Sequence, residues 1–142
     1  MSYTSLAALT ARFGEEMLVQ LTDHLTVPTG AIGMATVGDV LVSTDAVVDA
    51  ALAVRYRLPL VAVPAVVAEI ALAIAIYKLH RSEPEAKIGK DYDQALKDLD
   101  AIAKGTRRLD LAGIEPEGSG SGGVIATDRS RDFTPGNLRG FV

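Results

Sequence analysis

Between Leu58 and Tyr77 the chain carries a single charge, Glu69. A run of that length is about enough to cross a bilayer. Two prolines, Pro59 and Pro64, interrupt its start, and the apolar residues after Pro64 extend only to Tyr77. They are rich in Ala, and Lys78, His80 and Arg81 follow at once. A helix apolar on all sides is otherwise buried by its neighbours, inside a domain or between subunits. Burial by protein is the stronger reading, so no membrane is expected as a partner. Val67, Ile70, Ile74 and Tyr77 on this helix become candidate subunit-packing residues.

The rest of the chain is organised around that segment. Thr4 is a candidate N-cap for a first helix, with Leu6, Leu9 and Phe13 on one face and Gly14 as its stop. A second short helix follows, with Glu15 and Glu16 in the first turn, where the positive dipole end favours acids. Its Met17, Leu18 and Leu21 are expected to point inward. Residues 24–35 hold Pro28, Gly30 and Gly33 and read as a loop. The spacing of Val37, Leu41, Val48, Ala51 and Leu52 predicts a third helix from about Thr36 to Arg57. A shorter version begins after a Thr44 cap, so the start within residues 34–45 stays open. Leu58-Pro59 ends that helix, because a residue before proline is pushed out of the helical region.

Pro64 suits the first turn of a fourth helix, expected to run to about His80. Pro84 opens the last one. There Ile88, Tyr92, Ala95, Leu96, Leu99, Ile102 and Ala103 form an apolar stripe, and Gly105 supplies the stop. The predicted fold is therefore all-α, a small bundle of four to five helices.

After Gly105 the composition changes. Residues 106–142 contain 7 of the 13 glycines, including the run Gly118-Ser119-Gly120-Ser121-Gly122-Gly123. Their charges balance, so the whole net charge of -4 belongs to residues 1–105. Three regions are expected: a helical domain over 1–105, a flexible linker over 106–123, and a partner-docking tail over 124–142. The tail begins with a weak strand-like alternation at Val124-Ile125-Ala126-Thr127. Its Arg131, Phe133, Leu138, Arg139 and Phe141 are the candidate docking residues, since segments that fold on binding keep such anchors.

Catalytic chemistry is not legible. The chain has no Cys, which excludes thiolate metal sites and Cys nucleophiles and fits a reducing compartment. His24 and His80 lack acidic partners at ligand spacing, and His80 near a helix C-terminus is better read as a dipole partner. Gly30-Ala31-Ile32-Gly33 lacks the third glycine of a dinucleotide fingerprint, and the Gly/Ser run lacks the Lys-Ser/Thr of a P-loop. Glu69 reads as a paired or interface carboxylate, with Arg55 or Arg57 as partner. No catalytic residue, metal site or cofactor is expected, and the chain is not read as an enzyme. The opening MSYTSLAALTARFGEE lacks a basic region followed by an apolar one, so no signal peptide is expected. A small soluble regulator binding DNA or a partner protein is the alternative, resting on the two short helices around Gly14. For DNA, Glu15 and Glu16 would face repelling phosphates.

Several stretches together resemble the head–tail connector family of Mu-like tailed bacteriophages. They are Ala11-Arg12-Phe13-Gly14-Glu15 with Gln20-Leu21-Thr22-Asp23, Arg55-Tyr56-Arg57-Leu58-Pro59-Leu60 with Val63-Pro64, Ala75-Ile76-Tyr77-Lys78-Leu79-His80, and Tyr92-Asp93-Gln94-Ala95-Leu96-Lys97. The ending, Phe133-Thr134 then Leu138-Arg139-Gly140-Phe141, is also similar to the family's. Residues 24–40 depart from it, being Val/Gly-rich where members often carry an Asp/Gly-rich loop. The resemblance implies a structural virion protein at the head–tail junction, made in the host bacterial cytoplasm. It further implies a homo-oligomeric ring, commonly of twelve copies, between the portal protein and a stopper or other neck or tail protein. DNA would pass through the lumen without sequence-specific binding, which an acidic body suits because like charge avoids sticking.

Overall fold

The computed structural model describes residues 2–24 and 27–109 of the 142-residue chain. Five helices run in order: α1 Leu6–Phe13, α2 Glu15–Thr22, α3 Met34–Leu52, α4 Ala65–Leu79 and α5 Ala86–Ala103. Helices α3, α4 and α5 pack on one another, and the α1–α2 pair lies against α4 and α3. The fold is the small all-α bundle that the apolar periodicities predict.

α4 is the axis of the bundle. Its Val67, Ile70, Ala71 and Ile74 belong to one apolar cluster with Val48 and Leu52 of α3 and Ala95, Leu99 and Ile102 of α5. Its Leu72, Ala75, Ile76 and Leu79 belong to a second, with Leu9 of α1, Leu18 of α2, Val37 of α3 and Ile88 of α5. Because α4 supplies both clusters from different sides, its sequence shows almost no polar face. Tyr77 completes the α4–α5 seam by stacking on Tyr92, with ring centroids 3.9 Å apart and planes 7° from parallel.

Helix boundaries differ from the sequence expectations in physically specific ways. The N-cap of α1 is Ser5, not Thr4: Ser5 is extended, and its hydroxyl accepts the Ala8 N–H at 3.3 Å. Thr4 is buried instead. α3 starts at Met34 because Gly33 is held against the end of α2, where its N–H donates to Thr22 Oγ1 at 2.8 Å. A Cβ on Gly33 would meet the Thr22 carbonyl oxygen at 2.7 Å, so no larger residue fits without a shift. The longer reading of α3 is the observed one at this end. It stops at Leu52 rather than Arg57 because the Arg55 and Tyr56 N–H groups both fold back onto the Leu52 carbonyl. That turn sends the Tyr56 ring into the core. The following Leu58-Pro59 peptide is cis. α4 ends one residue early, where His80 caps it and donates from Nδ1 to the Ile76 carbonyl at 2.8 Å, satisfying one of the last carbonyls of the helix. α5 begins at Ala86, two residues after Pro84, with Glu85 as its cap.

Packing continues past the expected domain end at residue 105. Arg107 pairs with Asp98 at 2.9 Å, and Leu109 is buried, its N–H donating to the Tyr56 hydroxyl at 3.1 Å. The body therefore extends four residues into the stretch expected as linker. The remainder of that stretch, and the 124–142 tail with its strand-like start, lie outside the described residues.

Two long-range contacts fasten the ends of the body. Gly105 has φ +77, and the Arg55 guanidinium lies where a Cβ would project while reaching toward the Lys104 carbonyl. Gly105→Ala therefore adds left-handed strain of about 1–2 kcal/mol and displaces Arg55. Chemical denaturation should show a lower midpoint with an unchanged slope. At the other end, the Tyr3 N–H donates to Asp45 Oδ1 at 3.0 Å, and its hydroxyl donates to Asp49 Oδ1. Burial, then the Asp49 hydrogen bond and the nearby carboxylate charges, push the Tyr3 phenol well above its ordinary range. The unfolded chain ionises tyrosine near pH 10 while the folded state keeps this proton to higher pH. Stability linked to Tyr3 is thus complete below about pH 10 and falls as pH rises beyond it. Tyr3→Phe should flatten this alkaline loss in stability-against-pH titrations.

Candidate functional site

A groove of about 670 Å³ is bounded by α1 and α2, α4 and α5. Helical spacing explains its floor. The α4 residues toward α3 recur at Val67, Ala71, Ile74 and Lys78, the last donating from Nζ to the Ser43 carbonyl at 2.9 Å. The residues lining the groove, Val66, Glu69, Ile70, Ala73 and Ile76, lie on the opposite face. Phe13 and Met17 from the α1–α2 corner and Ile88 and Ala95 from α5 extend the apolar lining.

The rim is charged. Arg12 of α1 and Glu69 of α4 pair across it at 3.2 Å, both more than half exposed. Such an exposed pair contributes at most about 1 kcal/mol and mainly orients the α1–α4 approach. Asp98 and Arg107 form a second rim pair. Glu85, Lys87 and Asp91 also line the groove. The expected partners of Glu69, Arg55 and Arg57, are not used; Arg55 packs over Gly105, and Glu69 faces solvent rather than an apolar interior.

The four candidate subunit-packing residues sit elsewhere than expected. Val67, Ile70 and Ile74 are buried by this chain's own α3 and α5, and Tyr77 is stacked on Tyr92. Most of the apolar helix is covered inside one subunit, and what it leaves open is the strip along the groove, with Val66 and Ala73 half-buried. Of the four, Ile70 also lines the groove. Arg131, Phe133, Leu138, Arg139 and Phe141 lie outside the described residues.

Sequence reasoning missed the Arg12–Glu69 pair, the Tyr3 anchor and the groove itself. Arg12 and Glu69 are far apart in sequence, and no local period links them. Tyr3 precedes the first helix, where apolar spacing gives no signal. Among the described residues, no group of three His, Asp or Glu side chains is placed to hold a metal ion. No helix among them is long and apolar enough to cross a membrane. The loop between α2 and α3 is organised by Asp23, whose Oδ2 accepts the N–H groups of Thr29 at 2.7 Å and Gly30 at 2.8 Å.

Ile74 is fully buried among α3 and α5 side chains, so Ile74→Ala should cost about 2–5 kcal/mol of stability. Denaturation at several protein concentrations should give the same loss at each, because the contact lies within one chain.

No curated protein matches the chain. The family model described as "Bacteriophage Mu, Gp36" matches it over residues 3–127, which takes in all five helices. The chain belongs to the Gp36 family of bacteriophage Mu.

Proposed function

We propose that this protein is a structural virion component, a head–tail adaptor that forms a ring between the portal and the next neck or tail protein. The observation that carries the reading is the family match over residues 3–127, joined to a body that closes its own core. A subunit whose helices already satisfy one another is rigid material for a ring. Its net negative charge, held within residues 1–105, suits a conduit along which DNA slides rather than sticks.

Since α4 is spoken for, neighbouring copies in such a ring meet on other surfaces. One apolar surface on offer is the outward face of α3, with Met34 65% and Val42 71% exposed. The grip on the portal or the next neck protein falls to the tail, through Arg131, Phe133, Leu138, Arg139 and Phe141. Fully extended, residues 118–142 reach roughly 80 Å, enough to cross onto an adjacent ring. Strand addition to a partner's sheet edge is one way to dock such a segment.

Truncation after Gly118 leaves every described residue in place and tests the division of labour. Far-ultraviolet circular dichroism should show an unchanged helical body, while particles assembled with the truncated protein should lack stable attachment at the neck. Normal yields of tailed, infectious particles would overturn the reading. A salt-sensitive gel shift with duplex DNA would favour the regulator instead.

A further inference from the structure

We infer that the groove between α1, α4 and α5 is the docking site for this chain's own C-terminal segment, Phe133 to Phe141, in the free subunit. The inference goes beyond the adaptor reading and does not require it.

Four observations converge on this occupant. The groove has an apolar floor, with Val66, Ile70, Ala73 and Ile76 of α4 facing it, and a volume of about 670 Å³, within the range of ligand-binding clefts. The described residues end two positions after one that lines it. Arg107 is part of the rim through its pair with Asp98, and Leu109 is pinned on Tyr56 two residues later. Beyond Leu109, 33 residues remain, carrying three large apolar side chains near their end, Phe133, Leu138 and Phe141. The 24 residues from Leu109 to Phe133 allow a reach of about 80 Å, against a groove only about 17 Å long beside α4 from Ala65 to Ile76.

Charge favours the same pairing. The rim holds four carboxylates, Glu69, Glu85, Asp91 and Asp98, against three cations. Residues 124–142 hold three arginines, Arg129, Arg131 and Arg139, against two aspartates. A net negative rim therefore receives a net positive segment. Tethering decides between this segment and a second copy of it. The attached segment is present at an effective concentration that another molecule in dilute solution does not match. Docking covers the three anchors until a partner competes for them.

The absence of cysteine permits a direct test on the full-length chain. A nitroxide on Lys90→Cys, exposed on the flank of α5 beside the groove, is compared with one on Val42→Cys, exposed on the far face of α3. In the nitrogen-15-labelled protein, the Lys90 label should cause a several-fold loss of the amide signals of Phe133, Leu138 and Phe141, and the Val42 label none. Replacing the three anchors together by Ser should restore the signals. Equal losses from both labels, or no loss from Lys90, would overturn the inference. So would a loss that appears when isotope-labelled chains are mixed with separate spin-labelled copies, because the occupant would then be a second molecule. No phage component enters the experiment, so its failure leaves the adaptor reading standing, and the reverse also holds.

Discussion

Burial of most of α4 by residues of its own chain is the interaction on which the rest depends. One side chain set on α4 meets α3 and α5, and another meets α1, α2 and the start of α5. Removing such a helix from water supplies the largest apolar contribution in a chain poor in aromatics, at about 25 cal/mol per Å² buried. It also sets the arrangement of the other helices, since each must present its apolar stripe to this common axis. The near-parallel stack of Tyr77 on Tyr92 fixes the α4–α5 seam, and the Lys78 ammonium on Ser43 fixes α4 against α3.

The connections are held by polar groups rather than by bulk. Asp23 gathers the N–H groups of Thr29 and Gly30, Thr22 receives Gly33, and Tyr3 fastens the N-terminal segment onto Asp45 and Asp49 of α3. Each replaces water on a backbone group that a loop would otherwise leave unsatisfied. Together they help four connections between five helices, two of them longer than ten residues, keep a single packing. The Arg55 guanidinium over Gly105 does the same at the exit from α5.

Function follows from what this closed body leaves outside. Its core is closed by its own helices, so what the described body offers to other molecules is its surface, which includes the outward face of α3 and the charged groove. That partition suits a building block of a virion in the Mu Gp36 family better than a chain whose fold waits for its partner. The same body carries an acidic-rimmed apolar groove beside Arg107, two residues before the last described one.

The sequence by itself determined the all-α class and the order of the helices, with their number left at four to five. The 3.6-residue period of α5, the proline at the head of α4 and the glycines at 14 and 105 are local signals that act within a few residues. The family resemblance was legible for the same reason, being carried by short motifs in order. Only the tertiary structure decided where the apolar surplus of α4 goes, because a helix without a polar face is equally compatible with a neighbouring subunit and with its own chain. It likewise decided that Glu69 meets Arg12 and not Arg55 or Arg57, and that a groove opens on the side of α4 away from α3. Such choices depend on which helices cross, and crossing is set by side-chain interlocking between segments distant in sequence, which no local period encodes.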